Sequence, residues 1–326
     1  MDYRSYVGGD EAALVACWAR SLRKDQVSLG RFVRTTLLDD NFDEAGLIEA
    51  RDSQGEVRGF VHAVAVGSPE GLREGPAASR SGRRDGWILV LAVDPACQRQ
   101  GIGRELLRRA EQYLVGRGCS RAVVSPYPPG YYYPGVPVGR YPGSCELFED
   151  GGYHKSATVV AMDRLLVDYE VPEVVAKEKW RLEADGWRFG SPSVEWYTRL
   201  LGLCGSFVED WASVVRVALR HGARPEQIQV ATYGDEIAGF AIFGAYLGCP
   251  DRFGPFGVLP ERRRLGLGNV LLHETLREMA AQSLHCAWFL WTGEEDAAGR
   301  LYRRAGFEVS RRFAIYERAF GGTGTL

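Results

Sequence analysis

The sequence predicts an α/β fold, a mixed and mostly antiparallel sheet flanked by helices, laid down twice in tandem. Three observations predict it. Val93-Asp-Pro-Ala-Cys-Gln-Arg-Gln-Gly-Ile-Gly103 and Val258-Leu-Pro-Glu-Arg-Arg-Arg-Leu-Gly-Leu-Gly268 share the Val, the Pro and both Gly at an offset of 165 residues. The register continues through Leu106/Leu271 and Leu107/Leu272. Upstream, Glu56–Phe60 matches Glu236–Phe240, and downstream Leu147–Tyr153 matches Leu301–Phe307, in the same order. Ordered, repeated blocks of this kind mark a duplicated unit, and a length of 326 residues suits two domains. The expected division is 1–165 and 166–326.

The elements follow in order. Glu11–Arg23 and Ser28–Leu38 carry helical periodicity, and Gly46–Arg51 and Val57–Val66 read as a hairpin about a polar turn. Trp87–Val93 is a short, wholly apolar run, the pattern of a central strand. A helix is expected from about Gly103 to Val115, ended by Gly116 and Gly118, then a strand at Arg121–Ser125, a short helix at Ser144–Asp150 and a strand at Tyr153–Leu165. The second copy repeats this: helix Phe207–Arg220, hairpin Gln227–Thr232 and Ile237–Ala245, strand Pro255–Val258, helix to about Ala281, strand His285–Trp291, helix Ala297–Arg304 and strand Arg312–Arg318. Asp168–Pro192 is mixed and charged, and reads as the crossover plus the first strand and helix of copy two. The first copy carries two extra stretches, Ser68–Asp85 and Pro126–Gly143. The former has the composition of a solvated loop with Arg73, Arg80, Arg83 and Arg84. The latter is a Pro-, Gly- and Tyr-rich segment that suits either a rigid surface loop or an aromatic lid.

Composition narrows the function. Forty Lys and Arg against 42 Asp and Glu give a net charge of −2, without the basic excess of a general nucleic-acid binder. No apolar run is long enough for a membrane helix, and no leader is visible, so a cytoplasmic location is expected. Seven scattered Cys and five His without ligand spacing predict neither a disulfide framework nor a metal site.

The chemistry lies in the repeated loop. A buried strand, a glycine turn and a helix N-terminus together form an anion site, because unpaired N–H groups and the helix dipole face the same point. The pattern Val-x-Pro-x-x-[Gln/Arg]-x-x-Gly-x-Gly resembles the GNAT superfamily of acetyl-CoA-dependent N-acyltransferases, whose marks are [Gln/Arg]-x-x-Gly-x-[Gly/Ala] and a later Leu-Tyr-x-x-x-Gly-[Phe/Tyr]. Gln98–Gly103 and Arg263–Gly268 match the first mark, and Leu301–Phe307 matches the second. The resemblance implies that Gln98, Arg99, Gln100, Gly101, Ile102, Gly103 and Arg104 hold a CoA pyrophosphate. It implies the same of Arg263, Arg264, Leu265, Gly266, Leu267, Gly268 and Asn269. Leu91, Ala92 and Val93, with Phe256, Gly257 and Val258, would pair with the pantetheine arm at a splayed strand edge.

Transfer from a thioester needs a neutral amine, stabilisation of the developing oxyanion and help for the departing thiolate. The resemblance assigns that last task to Tyr302, whose counterpart in copy one is Phe148, with no proton to give. The expectation is therefore an acetyl-CoA-dependent N-acetyltransferase whose C-terminal copy is catalytic. Arg262–Arg264 would grip the phosphates more firmly there, and the N-terminal copy would be degenerate or regulatory. Tyr131, Tyr132 and Tyr133 offer replacement hydroxyls. Asp251, Glu294, Glu295 and Asp296 are all candidates for the base, and His62, His273 and His285 read as structural. The acceptor is expected to be the primary amine of a small molecule or peptide, with no nucleic-acid or membrane partner, in a monomer or a homodimer. Two other readings remain: a non-catalytic acyl-CoA-binding or regulatory module, and a transferase drawing on aminoacyl-tRNA.

Overall fold

The computed structural model describes residues 1–66, 84–127, 130–246 and 248–321. The charged stretch 68–83 therefore lies outside the described residues. The chain divides into unit 1, Met1–Val159 together with the stretch from Arg312, and unit 2, Val160–Arg311. A single cut at 165/166 does not describe this division, because the chain returns to unit 1 at its end.

Unit 1 runs β1 (Asp2–Ser5), α1 (Glu11–Ser21), α2 (Leu29–Phe32, continued by a wider turn over Val33–Leu37), β2 (Leu47–Arg51), β3 (Val57–Ala65), β4 (Asp85–Val93), α3 (Ile102–Gly116), β5 (Arg121–Val124), β6 (Val136–Pro137), α4 (Ser144–Asp150) and the start of β7 (His154–Leu165). Strands β1 to β4 pair in chain order and antiparallel, and β5 joins β4 in parallel. The far side of β5 is taken by the second half of β13 (Glu308–Ala319), with Tyr316 opposite Val124 and Ala319 opposite Arg121. Helix α3 covers one face of the sheet through Leu106, Leu107, Ala110 and Leu114, while Trp18 and Phe32 cover the other.

Unit 2 runs α5 (Glu173–Ala184), β8 (Trp187–Gly190), α6 (Tyr197–Phe207), α7 (Glu209–Arg220), β9 (Ile228–Tyr233), β10 (Glu236–Phe243), β11 (Phe253–Val258), α8 (Leu267–Ala281), β12 (Cys286–Thr292) and α9 (Ala297–Arg304). Its first four strands form an antiparallel sheet in the order β11-β10-β9-β8. Strand β12 pairs with the second half of β7, Cys286 opposite Leu165. Helix α8 covers one face, and α6 and α7 cover the other through Leu200, Cys204 and Val215. Helix α5 precedes β8, the strand of unit 2 that corresponds to β1.

The repeated Glu-x-x-Gly-Phe block has a packing cause. A Cβ on Gly59 would lie 3.1 Å from Leu106 Cδ1, and one on Gly239 would lie 2.9 Å from Leu271 Cδ1. A bare backbone at this point lets the helix after the loop settle onto the sheet. Phe60 and Phe240 fill the opposite face and are wholly buried. Among the described residues, no helix is long and apolar enough to cross a membrane.

Candidate functional site

Both glycine loops fold alike. Gln98 and Arg263 are extended (φ −67°, ψ 162° and φ −69°, ψ 163°), Arg99 and Arg264 are left-handed (φ 60° and 65°), and Gly101 and Gly266 cap the helices at φ 86° and 100°. The long polar side chain has the same task in each copy: Gln98 Nε2 donates to the Val93 carbonyl at 3.0 Å, and Arg263 Nε donates to that of Val258 at 3.2 Å. Each ties the loop back to the end of its strand. In unit 1 the amide of Glu105 is the first to find a helical carbonyl, that of Gly101, at 3.0 Å. The amides before it point out of the helix end, as any helix N-terminus requires.

The two copies differ in what surrounds the loop. In unit 1, β4 and β5 pair only from Asp85/Arg121 to Ile88/Val124, with a last bond from Ser125 N to Ile88 O at 3.1 Å. Strand β4 then bulges at Leu89 and runs on to Val93 with no strand paired on that side among the described residues. The gap is a cavity of about 310 Å³. Leu91, Ala92, Val93, Gln98, Arg99, Gly101, Gly103 and Arg104 all line it, so eight of the sequence-expected residues converge. Gln100 and Ile102 do not: Gln100 is exposed with its Nε2 on the Ala96 carbonyl, and Ile102 is buried in the core. A Cβ on Gly101 would meet nothing within 4 Å, so the space over the turn is open.

The Tyr-rich insertion forms the other wall. Tyr133, Val136, Pro137 and Tyr141 line the cavity. The segment is anchored at several points. Tyr127 donates to Asp39 at 2.7 Å, and the Tyr132 hydroxyl lies 2.9 Å from that of Thr36. Tyr141 donates to Asp25 Oδ2 at 2.6 Å, and Arg140 Nε reaches the same oxygen at 2.9 Å. Strand β6 pairs with β13 at Phe313 and Ala314. Burial and the Asp25 carboxylate hold the Tyr141 phenol well above its ordinary pKa. The insertion is a fixed cover over the slot. No local pattern pointed to Asp25 as its anchor, since Asp25 and Arg140 lie 115 residues apart.

In unit 2 the corresponding slot is filled. Four residues lining the cavity of unit 1 are Ile88, Leu91, Val124 and Phe148. Their counterparts Phe253, Phe256, Phe289 and Tyr302 pack on one another, with ring centroids 4.4 Å apart for Phe289–Tyr302 and 6.0 Å for Phe256–Tyr302. Tyr302 is 7% exposed, and burial raises its pKa. Pro255 stands where unit 1 has Val90, so this strand also lacks one N–H. Over the loop, a Cβ on Gly266 would lie 2.6 Å from Cδ of Glu178, and closer still to its Oε1. Asn269 Nδ2 donates to Glu178 Oε2 at 2.8 Å.

The expectation of firmer phosphate binding in copy two therefore meets a carboxylate already on the turn. Two of its three arginines are also spent within the chain, Arg262 on Glu236 and Arg263 on Val258. Arg264 and Leu265 are exposed, Leu267 is buried, and Gly257, Val258 and Gly268 are half-covered or buried beside the filled slot. The expected base candidates are also engaged: Glu294 pairs with Arg303, Asp296 caps α9 through the Gly299 amide, and Asp251 accepts from the Cys286 thiol at 3.4 Å. His62 is fully buried and held neutral, its pKa lowered to about 4 by desolvation. His273 is likewise lowered to about 4, by burial and the nearby Arg164, and its Nδ1 lies 2.7 Å from the Tyr169 hydroxyl.

Comparison with known proteins agrees with this geometry. Residues 18–127 match the model of the acetyltransferase (GNAT) family, and residues 224–309 match that of the acetyltransferase (GNAT) domain, together covering more than half of the chain. The chain belongs to the GNAT acetyltransferase family. It is a tandem member, with one domain in each half. The mycothiol acetyltransferase of Amycolatopsis mediterranei (strain U-32) is 34% identical over 125 residues, 37% of this chain, and the match spans 39% of the length of that relative. A GCN5-related glucosamine N-acetyltransferase region of a fungal multi-domain GH3 beta-N-acetylglucosaminidase superposes with a TM-score of 0.80 at 18% identity, covering 97% of this chain and 38% of that one. A tandem GNAT protein from the clavulanic acid biosynthesis pathway gives a TM-score of 0.64 at 15% identity, covering 99% of both chains. At these identities the two structures share the fold.

Proposed function

We propose that the chain transfers an acetyl group from acetyl-CoA to the primary amine of a small molecule or peptide, and that the reaction takes place in unit 1. The observation that carries this reading is the slot between β4 and β5, which joins a bare strand edge to an open anion-binding turn in one cavity of about 310 Å³. The fit is tested at Gly101. Its left-handed φ and the empty space above it suit a phosphate lying close to the backbone. The amides from Arg99 to Arg104 would hold the diphosphate, and the edge Leu89–Val93 would offer N–H and C=O groups to the amide-bearing arm. When bound, acetyl-CoA supplies an acyl group already activated as a thioester.

The residues of the chain do the rest. The anchored cover of Tyr133, Val136 and Tyr141 walls one side of the slot and bounds the space left for the amine. The Tyr141 proton is committed to Asp25, so its oxygen presents lone pairs, which can accept from an N–H. Phe148 gives no proton to the departing sulfur, but a thiol of ordinary pKa about 8.5 leaves without strong acid assistance. Phe148 also favours a second reading, a module that binds acyl-CoA without turning it over.

Calorimetry with acetyl-CoA, followed by thiol release across a panel of amines, separates the two. Binding with release on one amine class supports the enzyme, binding without release on any amine supports the module, and no binding ends both.

A further inference from the structure

We infer that Glu178 is a built-in occupant of the anion cradle of unit 2, and that it restricts the chain to one cofactor, held in unit 1. The count of one rests on the reading of unit 1 given above; the occupancy of unit 2 does not.

The cradle backbone is intact in both copies: the dihedral angles of Gln98 and Arg263 agree within a few degrees, and both glycines cap a fifteen-residue helix in the left-handed region. A turn of this shape with its amides unmet favours an anion. Unit 1 leaves that place open above Gly101. In unit 2, helix α5 lies beside it. From that helix the Glu178 carboxylate lies over Gly266 and accepts from the Asn269 side-chain Nδ2 at 2.8 Å, while Arg181 Nη2 donates to the Leu265 carbonyl at 3.1 Å. Val175 and Leu182 are buried and fix the helix in position. Asn269 stands where unit 1 has Arg104, a cation paired with Asp150 at 3.0 Å, and serves as the clasp for the carboxylate. The aromatic rings of Phe253, Phe256, Phe289 and Tyr302 close the remainder of the slot. A loop shaped for a diphosphate thus survives in a copy where a carboxylate from the same chain takes the space above the turn.

The test reads the cradles separately. The G101D variant, with a carboxylate over the turn of unit 1, isolates unit 2. Thermal unfolding of G101D should be insensitive to inorganic diphosphate. The G101D/E178A variant should melt lower and be restored by diphosphate, with a shift of about 2–4 °C in each direction. Should the alanine variant not fold, G101D/E178Q carries the test. It keeps the shape and loses the charge, so its melting temperature should fall by roughly 1–2 °C without rescue. Stabilisation of G101D itself by diphosphate, a G101D/E178A variant that diphosphate does not rescue, or a G101D/E178Q variant with the melting temperature of G101D would each overturn the inference. Titration of the wild-type chain with CoA should give one site per chain. Two equal sites would also overturn the inference. No site at all, with G101D/E178A still rescued, would instead remove the reading of unit 1.

Discussion

Unit 1 and unit 2 hold the same turn at the mouth of the same helix, yet above Gly101 there is open space and above Gly266 there is a carboxylate. The difference continues along the strand. Ile88, Leu91 and Val124 leave a slot where Phe253, Phe256 and Phe289 fill one. The residues that form the signature are those that shape the backbone: glycines for the turn and a long polar side chain to brace it. They report that a loop of this shape exists. Whether the loop is in use is decided by residues outside the signature, namely the girth of the strand side chains and what another helix lays on top.

The largest expected effect breaks the comparison at its centre. Gly101→Asp puts a charge and a Cβ where the phosphate would lie, at a left-handed position. Acetyl-CoA affinity measured by calorimetry should drop by at least about a thousandfold, or roughly 4 kcal/mol, with unchanged circular dichroism. Retained binding would move the site to unit 2.

Next comes acid. His62 in unit 1 and His273 in unit 2 have folded pKa values lowered from 6.5 to about 4. The unfolded chain takes up these protons as the pH falls through about 6.5, and the folded chain refuses them until about 4, so stability is lost across that window. For fully buried His62 the loss is about 3 kcal/mol. His62→Leu should flatten the pH dependence of hydrogen exchange in β3 between pH 7 and 4.5, and leave that of α8 in place. An unchanged slope in β3 would show that His62 is not the group responsible.

A smaller effect is expected at the cover. Asp25→Ala strips Arg140 and Tyr141 of their shared oxygen, with a cost of about 2 kcal/mol. Proteolysis within 130–143 should quicken several-fold, while the short turn of unit 2 at Gly293–Asp296, which lacks this anchor, should cleave at an unaltered rate. Equal cleavage in wild type and variant would mean that the cover is held elsewhere.

Much of the fold could be read in the sequence because its signals are local. The hairpins, the apolar run Trp87–Val93, the glycine loops and the helices after them all fall where the pattern put them. Helix α6 was hidden by Gly202 and Gly205 within it and by the aromatic residues around it, and β6 by the prolines of the insertion. The seating of β13 beside β5 rests on pairing between distant segments, to which no local pattern refers. At the site, the loops were legible and their availability was not. Glu178 is 91 residues from the Asn269 that clasps it. A signal was nevertheless present: copy two replaces Val90 by Pro255 and three aliphatic residues by phenylalanine, which is the composition of a filled slot.

The smallest expected effect sharpens the comparison most. The tyrosine of the family signature, Tyr302, lies in unit 2, and a general acid there would be worth about 10²–10⁴-fold in rate. Its ring, however, is enclosed by Phe253, Phe256, Phe289 and Phe307, and its neutral form is favoured by burial. A phenol so enclosed meets no sulfur. Tyr302→Phe should therefore leave turnover and acetyl-CoA affinity within about twofold of wild type, with a stability change of about 1 kcal/mol or less. A hundredfold fall in turnover with unchanged affinity would place the chemistry in unit 2 after all. The aromatic cluster would then have to open during turnover, and the open slot of unit 1 would lose its claim to the reaction.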